Sequence, residues 1–181
     1  GKTVFIPVGD YRITKPLFVR IGVKLIGASK SSTVLQQAYD VWKDPSEPLL
    51  ITENVPNSNI VLSDFYLLVY PRGISYNIQS GDIVVRDIQT HVFQFLGNFE
   101  NAEFPFATFS GYASGKVFNL VSDHIMAYDG LKKGSVPMDN YSLLSIENKI
   151  SEEPLVFYQA SIEHLKSGTA QVLVKNSKNI I

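Results

Sequence analysis

The chain is broken into short apolar runs. Val, Ile, Leu, Phe, Tyr and Thr recur in blocks of three to seven, each closed by Gly, Pro, Asn, Asp or Ser. That is the pattern of half-buried strands bounded by turns. It predicts strands at 3–6, 23–26, 49–52, 60–62, 83–85, 117–121, 143–146, 155–158 and 171–174. Helical spacing is scarce. Residues 32–39 fit a short helical turn or, through Val34-Leu35, a strand. Pro45, Pro48, Pro56, Pro71, Pro105, Pro137 and Pro154 interrupt any long helical register. The stretch 95–138 is less regular: 98–114 is aromatic and glycine-rich, and 130–140 reads as a loop. Long loops on a rigid frame commonly carry binding surfaces.

A repeat runs through these strands. Asn59-Ile60-Val61-Leu62-Ser63-Asp64-Phe65 matches Asp82-Ile83-Val84-Val85-Arg86-Asp87-Ile88, and at the same offset Val69-Tyr70 matches Val92-Phe93. Asn176-Ser177-Lys178-Asn179-Ile180 is a looser copy of Pro56-Asn57-Ser58-Asn59-Ile60. A period of roughly 20 to 25 with short strands and no helices predicts a β-solenoid, in which stacking neighbouring repeats builds the core. Many short strands also suit a β-sandwich. The repeat favours the solenoid.

Composition removes several function classes. The chain has 181 residues, 16 Lys+Arg and 17 Asp+Glu, and a net charge of −1. Its length fits one domain with a sizeable core. The balance carries no electrostatic footprint for nucleic acid or an anionic membrane. No apolar run approaches the roughly 18 residues of a membrane span. There are no cysteines, so disulfides, thiolate metal sites and cysteine nucleophiles drop out. Gly1-Lys2-Thr3 leads directly into a strand and Lys175-Asn176 runs into a final apolar pair. We therefore expect a single β-helix domain spanning 1–181 that is a piece of a longer protein, truncated at both ends. No secretory leader is recognisable in these residues.

Val4-Phe5-Ile6-Pro7-Val8-Gly9-Asp10-Tyr11-Arg12-Ile13, with Pro16-Leu17 and Val23-Lys24-Leu25-Ile26-Gly27, resembles the opening of pectate-lyase-like right-handed parallel β-helix proteins. In that reading the Pro-x-Gly-x-Tyr segment is a turn closing one coil. Val121-Ser122-Asp123-His124, Leu143-Leu144-Ser145-Ile146-Glu147, Pro154-Leu155-Val156-Phe157-Tyr158 and Glu163-His164 resemble, in this order, the second β-helical domain of glycoside hydrolase family 55. Phe157 stands where that family tends to have Trp, and Ser122 where it has Ala. The resemblance implies an all-β, right-handed parallel β-helix from a secreted, extracellular hydrolase acting on a polysaccharide such as β-1,3-glucan. It also implies a second β-helical domain of the parent chain as partner. No cofactor or metal is expected. The alternative is a non-catalytic carbohydrate-binding or structural β-helix.

Glycoside hydrolysis normally uses two carboxyl groups across the scissile bond. The resemblance assigns Glu163 to the catalytic water, on the base side, and puts the general acid about one coil later, which the repeat period carries past Ile181. His164, Asp123, His124 and Tyr158 are then expected to bind substrate. Glu163-His164 equally fits a surface pair in a turn between Ser161 and Gly168, and Asp123-His124 a buried structural pair. His91 reads as structural or exposed. Asp64 and Asp87 share a repeat position and would stack about 4.8 Å apart. They either share a proton or a cation such as calcium, or form a solvated ladder. Ser110-Gly111-Tyr112-Ala113-Ser114-Gly115 lacks the Gly-x-Ser-x-Gly spacing of a nucleophile elbow, and no phosphate-loop Gly-Lys-Ser/Thr follows it. Trp42, Tyr66, Tyr70, Tyr76, Phe104, Phe106, Tyr112, Tyr128 and Tyr158 exceed what a narrow core requires. Some are expected on an outer face, where flat rings stack on sugars; Tyr70 over Phe93 is expected inside.

Overall fold

The computed structural model describes residues 1–38, 40–42, 44, 46–69, 74–92, 105, 107–124, 142–164 and 170–181. The expectations for Tyr70, Phe93, Phe104, Phe106, Tyr128 and the loop 130–140 lie outside these residues.

The described residues form strands and no helix. One sheet holds the longer strands: β1 (Lys2–Ile6), β4 (Val23–Gly27), β7 (Val61–Val69), β9 (Ile83–Val92), β11 (Gly115–His124) and β13 (Leu155–His164), in that spatial order. β2 (Gly9–Ile13) and β5 (Thr33–Gln37) extend the same sheet, β2 pairing with β5 and β5 with β7. The second sheet runs β3 (Leu17–Val19), β6 (Pro48–Thr52), β8 (Ile74–Ile78), β10 (Ala107–Ser110), β12 (Ser142–Glu147) and β14 (Ala170–Val174). Every ladder between these strands is parallel. The chain alternates between the two sheets, and each strand pairs with its counterpart one repeat away. This excludes an antiparallel sandwich and is consistent with a β-solenoid.

The register departs from a fixed period. Val61 pairs with Val84, at the offset the repeat predicts. Lys2 pairs with Val23 across a slightly shorter interval, whereas Gly115 pairs with Leu155 across a much longer one. The ladders fix the register of the paired segments, and the number of residues between those segments does not enter it. Counting one repeat period beyond Glu163 therefore does not locate its neighbour.

Several local expectations change. Gly9–Ile13 is strand β2, where a turn was expected, and 33–37 is strand β5, where a helical turn was one of the two expectations. Residues 107–110 form β10 inside the segment expected to be irregular. Its alternating buried positions Ala107 and Phe109 explain why: two apolar positions suffice when strands on both sides supply the ladder. Ile180 forms a parallel bridge with Leu155.

Long strands arise from a bend within them. Asp64, Asp87, Asn119 and Gln159 have φ of 63°, 51°, 48° and 61°, and the registers place them in one column. A left-handed residue turns the strand without ending it, and Asp and Asn tolerate that conformation better than most residues. β1–β2 and β4–β5 occupy the same two arms as separate strands. Three lead-ins are left-handed as well: Asn59, Asp82 and Asn179 have φ of 51°, 52° and 51°, and each precedes an Ile.

Inward columns such as Leu62–Val85–Val117 are closed to solvent, and buried hydroxyls tie the turns between repeats. The Ser58 hydroxyl donates to the Gly81 carbonyl at 2.7 Å, and Thr52 Oγ1 accepts from Gln79 N at 2.8 Å. Tyr76 is less well served. Among the described residues its hydroxyl has no hydrogen-bond partner. A gap of about 10 Å³ beside the ring is otherwise lined by Leu, Ile, Val and Phe, among them Leu50, Phe65 and Ile78. A water there would lack the polar partners it needs.

Burial raises the Tyr76 phenol above its usual pKa near 10. Below pH 10 the ring is neutral in both folded and unfolded chains. Above it the unfolded chain ionises first, and stability is lost as pH rises toward the folded pKa. Tyr76→Phe is expected to raise unfolding free energy by about 1 kcal/mol at pH 7. It should also remove about 1.4 kcal/mol of loss per pH unit above 10. Urea titrations at pH 7 and pH 10.5 check this; a lower midpoint for the variant at both would refute it.

Candidate functional site

Arg86, Phe118 and Tyr158 lie side by side in one column, on the face opposite the buried Val85–Val117 column. The pleat sends alternate residues to opposite faces. Arg86 Nη2 lies 3.4 Å from Asp64 Oδ2, and its Nε lies 3.5 Å from Asp87 Oδ2. Asp87 Oδ1 accepts from Asn119 Nδ2 at 2.5 Å. The left-handed column is thus a linked ladder at which one guanidinium serves two carboxylates. Of the two readings of Asp64 and Asp87, this arrangement fits the ladder, with Arg86 supplying the positive charge between the carboxylates. Among the described residues no group of three His, Cys, Asp or Glu could hold a metal.

The Phe118 and Tyr158 rings are stacked, with centroids 4.8 Å apart and planes 8° from parallel. That separation is one interstrand spacing, so the ladder itself imposes the stack. One face of each ring is turned to the other. Tyr158 belongs to the last strand of the sheet order and is 47% exposed. Its second face points away from Phe118, beyond the last strand. Phe157, the neighbouring position, packs edge-on to Phe109 with centroids 5.5 Å apart. An aromatic ring at position 157 therefore serves the core.

The register aligns the remaining candidates. Asp123 pairs with Glu163 and with His91, and His124 pairs with His164. Glu163 and His164 are the last two residues of β13, within the ladder and outside the turn that was the alternative expectation. Asp123 and Glu163 each lie five residues beyond Phe118 and Tyr158 on the same strands. His91 sits on β9 with its ring 6.2 Å from Tyr66. Ser122 is buried beside Thr90, their hydroxyls 3.1 Å apart, so a hydroxyl at this position has a partner inside. Ser110 donates to Asn77 Oδ1 at 2.8 Å, and Tyr112 N to Asn54 Oδ1 at 3.3 Å. Those groups hold a turn.

A cleft of about 300 Å³ opens at the leading ends of β11 and β13, lined in part by Asp82, Lys116 and Glu153. Sequence reasoning passed over these residues and also Arg86, Phe118 and Asn119. The signal for Asn119 is present, since it continues the Asp64–Asp87 column. It is hidden because the interval from Asp87 to Asn119 is longer than that from Asp64 to Asp87.

No family model matches the chain, and neither the curated proteins nor the solved structures yield a significant match.

Proposed function

We propose that the chain is a right-handed parallel β-helix and the carbohydrate-active domain of a secreted polysaccharide hydrolase, with β-1,3-glucan as the substrate to test. One observation carries the reading. A single sheet bears the Phe118–Tyr158 stack and, five residues along the same strands, the paired positions Asp123 and Glu163. Aromatic rings offer a surface for a sugar ring, and Asp123 and Glu163 carry carboxyl groups of the kind glycoside hydrolysis uses. In this proposal Glu163 assists the water that attacks the anomeric carbon. Asp123, His124, His164 and Tyr158 hold the sugar. The resemblance would also bring a general acid and a second β-helical domain as partners of this one.

Glucose release from a β-1,3-glucan by the protein containing these residues tests the reading. Glu163→Gln is expected to lower the rate at least about 100-fold, as loss of a proton-transfer group does. A variant with full activity would remove Glu163 from the mechanism.

A second reading, a non-catalytic carbohydrate-binding or structural β-helix, is favoured by the ring stack itself, since each ring spends one face on the other. Retention of the glucan with no sugar released would select it.

A further inference from the structure

We infer that the cleft at the leading ends of β11 and β13 is a binding subsite for a neutral sugar ring, continuous with the Phe118–Tyr158 surface. The inference rests on the carbohydrate reading above. The volume, about 300 Å³, is at the lower end of small-ligand pockets and suits one or two sugar rings better than a long segment.

Its walls carry both kinds of hydrogen-bonding group. Asp82 and Glu153 offer carboxylate acceptors, Lys116 offers an ammonium donor, and Asn57 offers both. All four are exposed. Among the described residues none of the three charged groups takes part in an ion pair. Their capacity is therefore open to a ligand. Pro154 and Val156 add apolar surface for the C–H face of a pyranose.

Charge narrows the ligand. Two carboxylates against one ammonium disfavour a phosphate or a uronate. A shared cation is disfavoured by the lysine on the strand between the two carboxylates. Ile83, Gly115 and Leu155 are paired across three strands, so Asp82 and Glu153 stand on backbones two spacings apart, roughly 9–10 Å, with Lys116 between them. Vicinal hydroxyls, which donate to carboxylates and accept from ammonium, satisfy the whole set.

Position supplies continuity. Lys116 and Val156 precede Phe118 and Tyr158 by two residues on the same strands, so they share a face about 7 Å away. A saccharide seated in the cleft thus leads onto the ring stack.

Titration calorimetry of the chain with a β-1,3-linked glucohexaose, and with its β-1,4-linked isomer, tests this. The double variant Asp82→Asn/Glu153→Gln is expected to bind the better hexaose at least tenfold more weakly. Lys116→Ala is expected to weaken it severalfold. Asp10→Asn, an exposed carboxylate on β2, should change nothing. Unfolding midpoints check that each variant is folded. Wild-type affinity in the double variant, with loss in Tyr158→Ala, would overturn the cleft and leave the carbohydrate reading standing. Loss in the double variant with none in Tyr158→Ala supports the cleft and removes the ring stack. Absence of binding by the wild type to either hexaose overturns both.

Discussion

Phe109→Ala is expected to cost about 5 kcal/mol of unfolding free energy, a loss that would leave a marginal domain largely unfolded. Phe109 is fully closed to solvent on β10. Its ring meets Tyr76 edge-on at 5.7 Å and Phe157 at 5.5 Å, with interplanar angles of 72° and 83°. Truncating a buried Phe to Ala costs about 3–5 kcal/mol, and each lost edge-to-face pair adds roughly 0.5–1.5. The upper end applies here because the site cannot collapse. β10 is hydrogen-bonded to β8 on one side and β12 on the other, which holds the backbones apart around the void. Urea unfolding should show a lowered midpoint with an unchanged slope. A loss below about 1 kcal/mol would mean that Phe109 is not in the core.

Gly115→Ala is the second large effect, expected to cost at least about 3 kcal/mol. Gly115 has φ of 113°, a conformation that side chains rarely adopt. A Cβ there would overlap the Ile83 carbonyl oxygen and lie 2.6 Å from the Ile83 nitrogen. Both obstacles are backbone, and backbone in a ladder cannot rotate away. Gly115 N also donates to the Pro154 carbonyl at 2.8 Å, so moving residue 115 disturbs the pairing of β11 on both sides. The measurement is the urea midpoint, with amide exchange at Ile83 and Val117 as a local probe. The exchange should accelerate more than at Val19, on the other sheet. Wild-type stability and exchange in Gly115→Ala would show that the positive φ is dispensable.

These two positions differ in how readable they are. Gly115 follows a turn and precedes a strand, so a special conformation there is a reasonable expectation from sequence. Phe109 lies in a stretch whose aromatic and glycine content suggests an irregular loop. Its short strand β10 has too few alternating positions to stand out. Only the ladders with β8 and β12 make it a strand, and those partners, from Tyr76 to Ile78 and from Leu144 to Glu147, are distant along the chain.

The candidate site divides the same way. Tyr158 and Glu163 were named through a resemblance and a residue type, whereas Asp64 and Asp87 were aligned by a repeat that the register reproduces. Arg86 between those carboxylates was not legible as a neutralising group, since adjacency along the chain does not say which way a guanidinium turns. Lys116 and Glu153 carry no motif at all, and Asp82 was read only as the start of a repeat. They converge because parallel pairing stacks the leading ends of β9, β11 and β13, whatever length of chain lies between them.

By itself the sequence determined that the described residues form strands built on short apolar runs, and that the segments beginning at Asn59 and Asp82 are equivalent; it did not show that four of the strands run on to nine or ten residues. Those properties are local: side-chain branching, alternation, and Asn or Asp where the backbone turns left-handed. Only the tertiary structure decided the intervals between the other repeats, the side chains each column brings together, and where a cleft opens. Parallel ladders fix relative position through hydrogen bonds between strands. The number of residues in a connection does not enter those ladders, so it varies without changing the register.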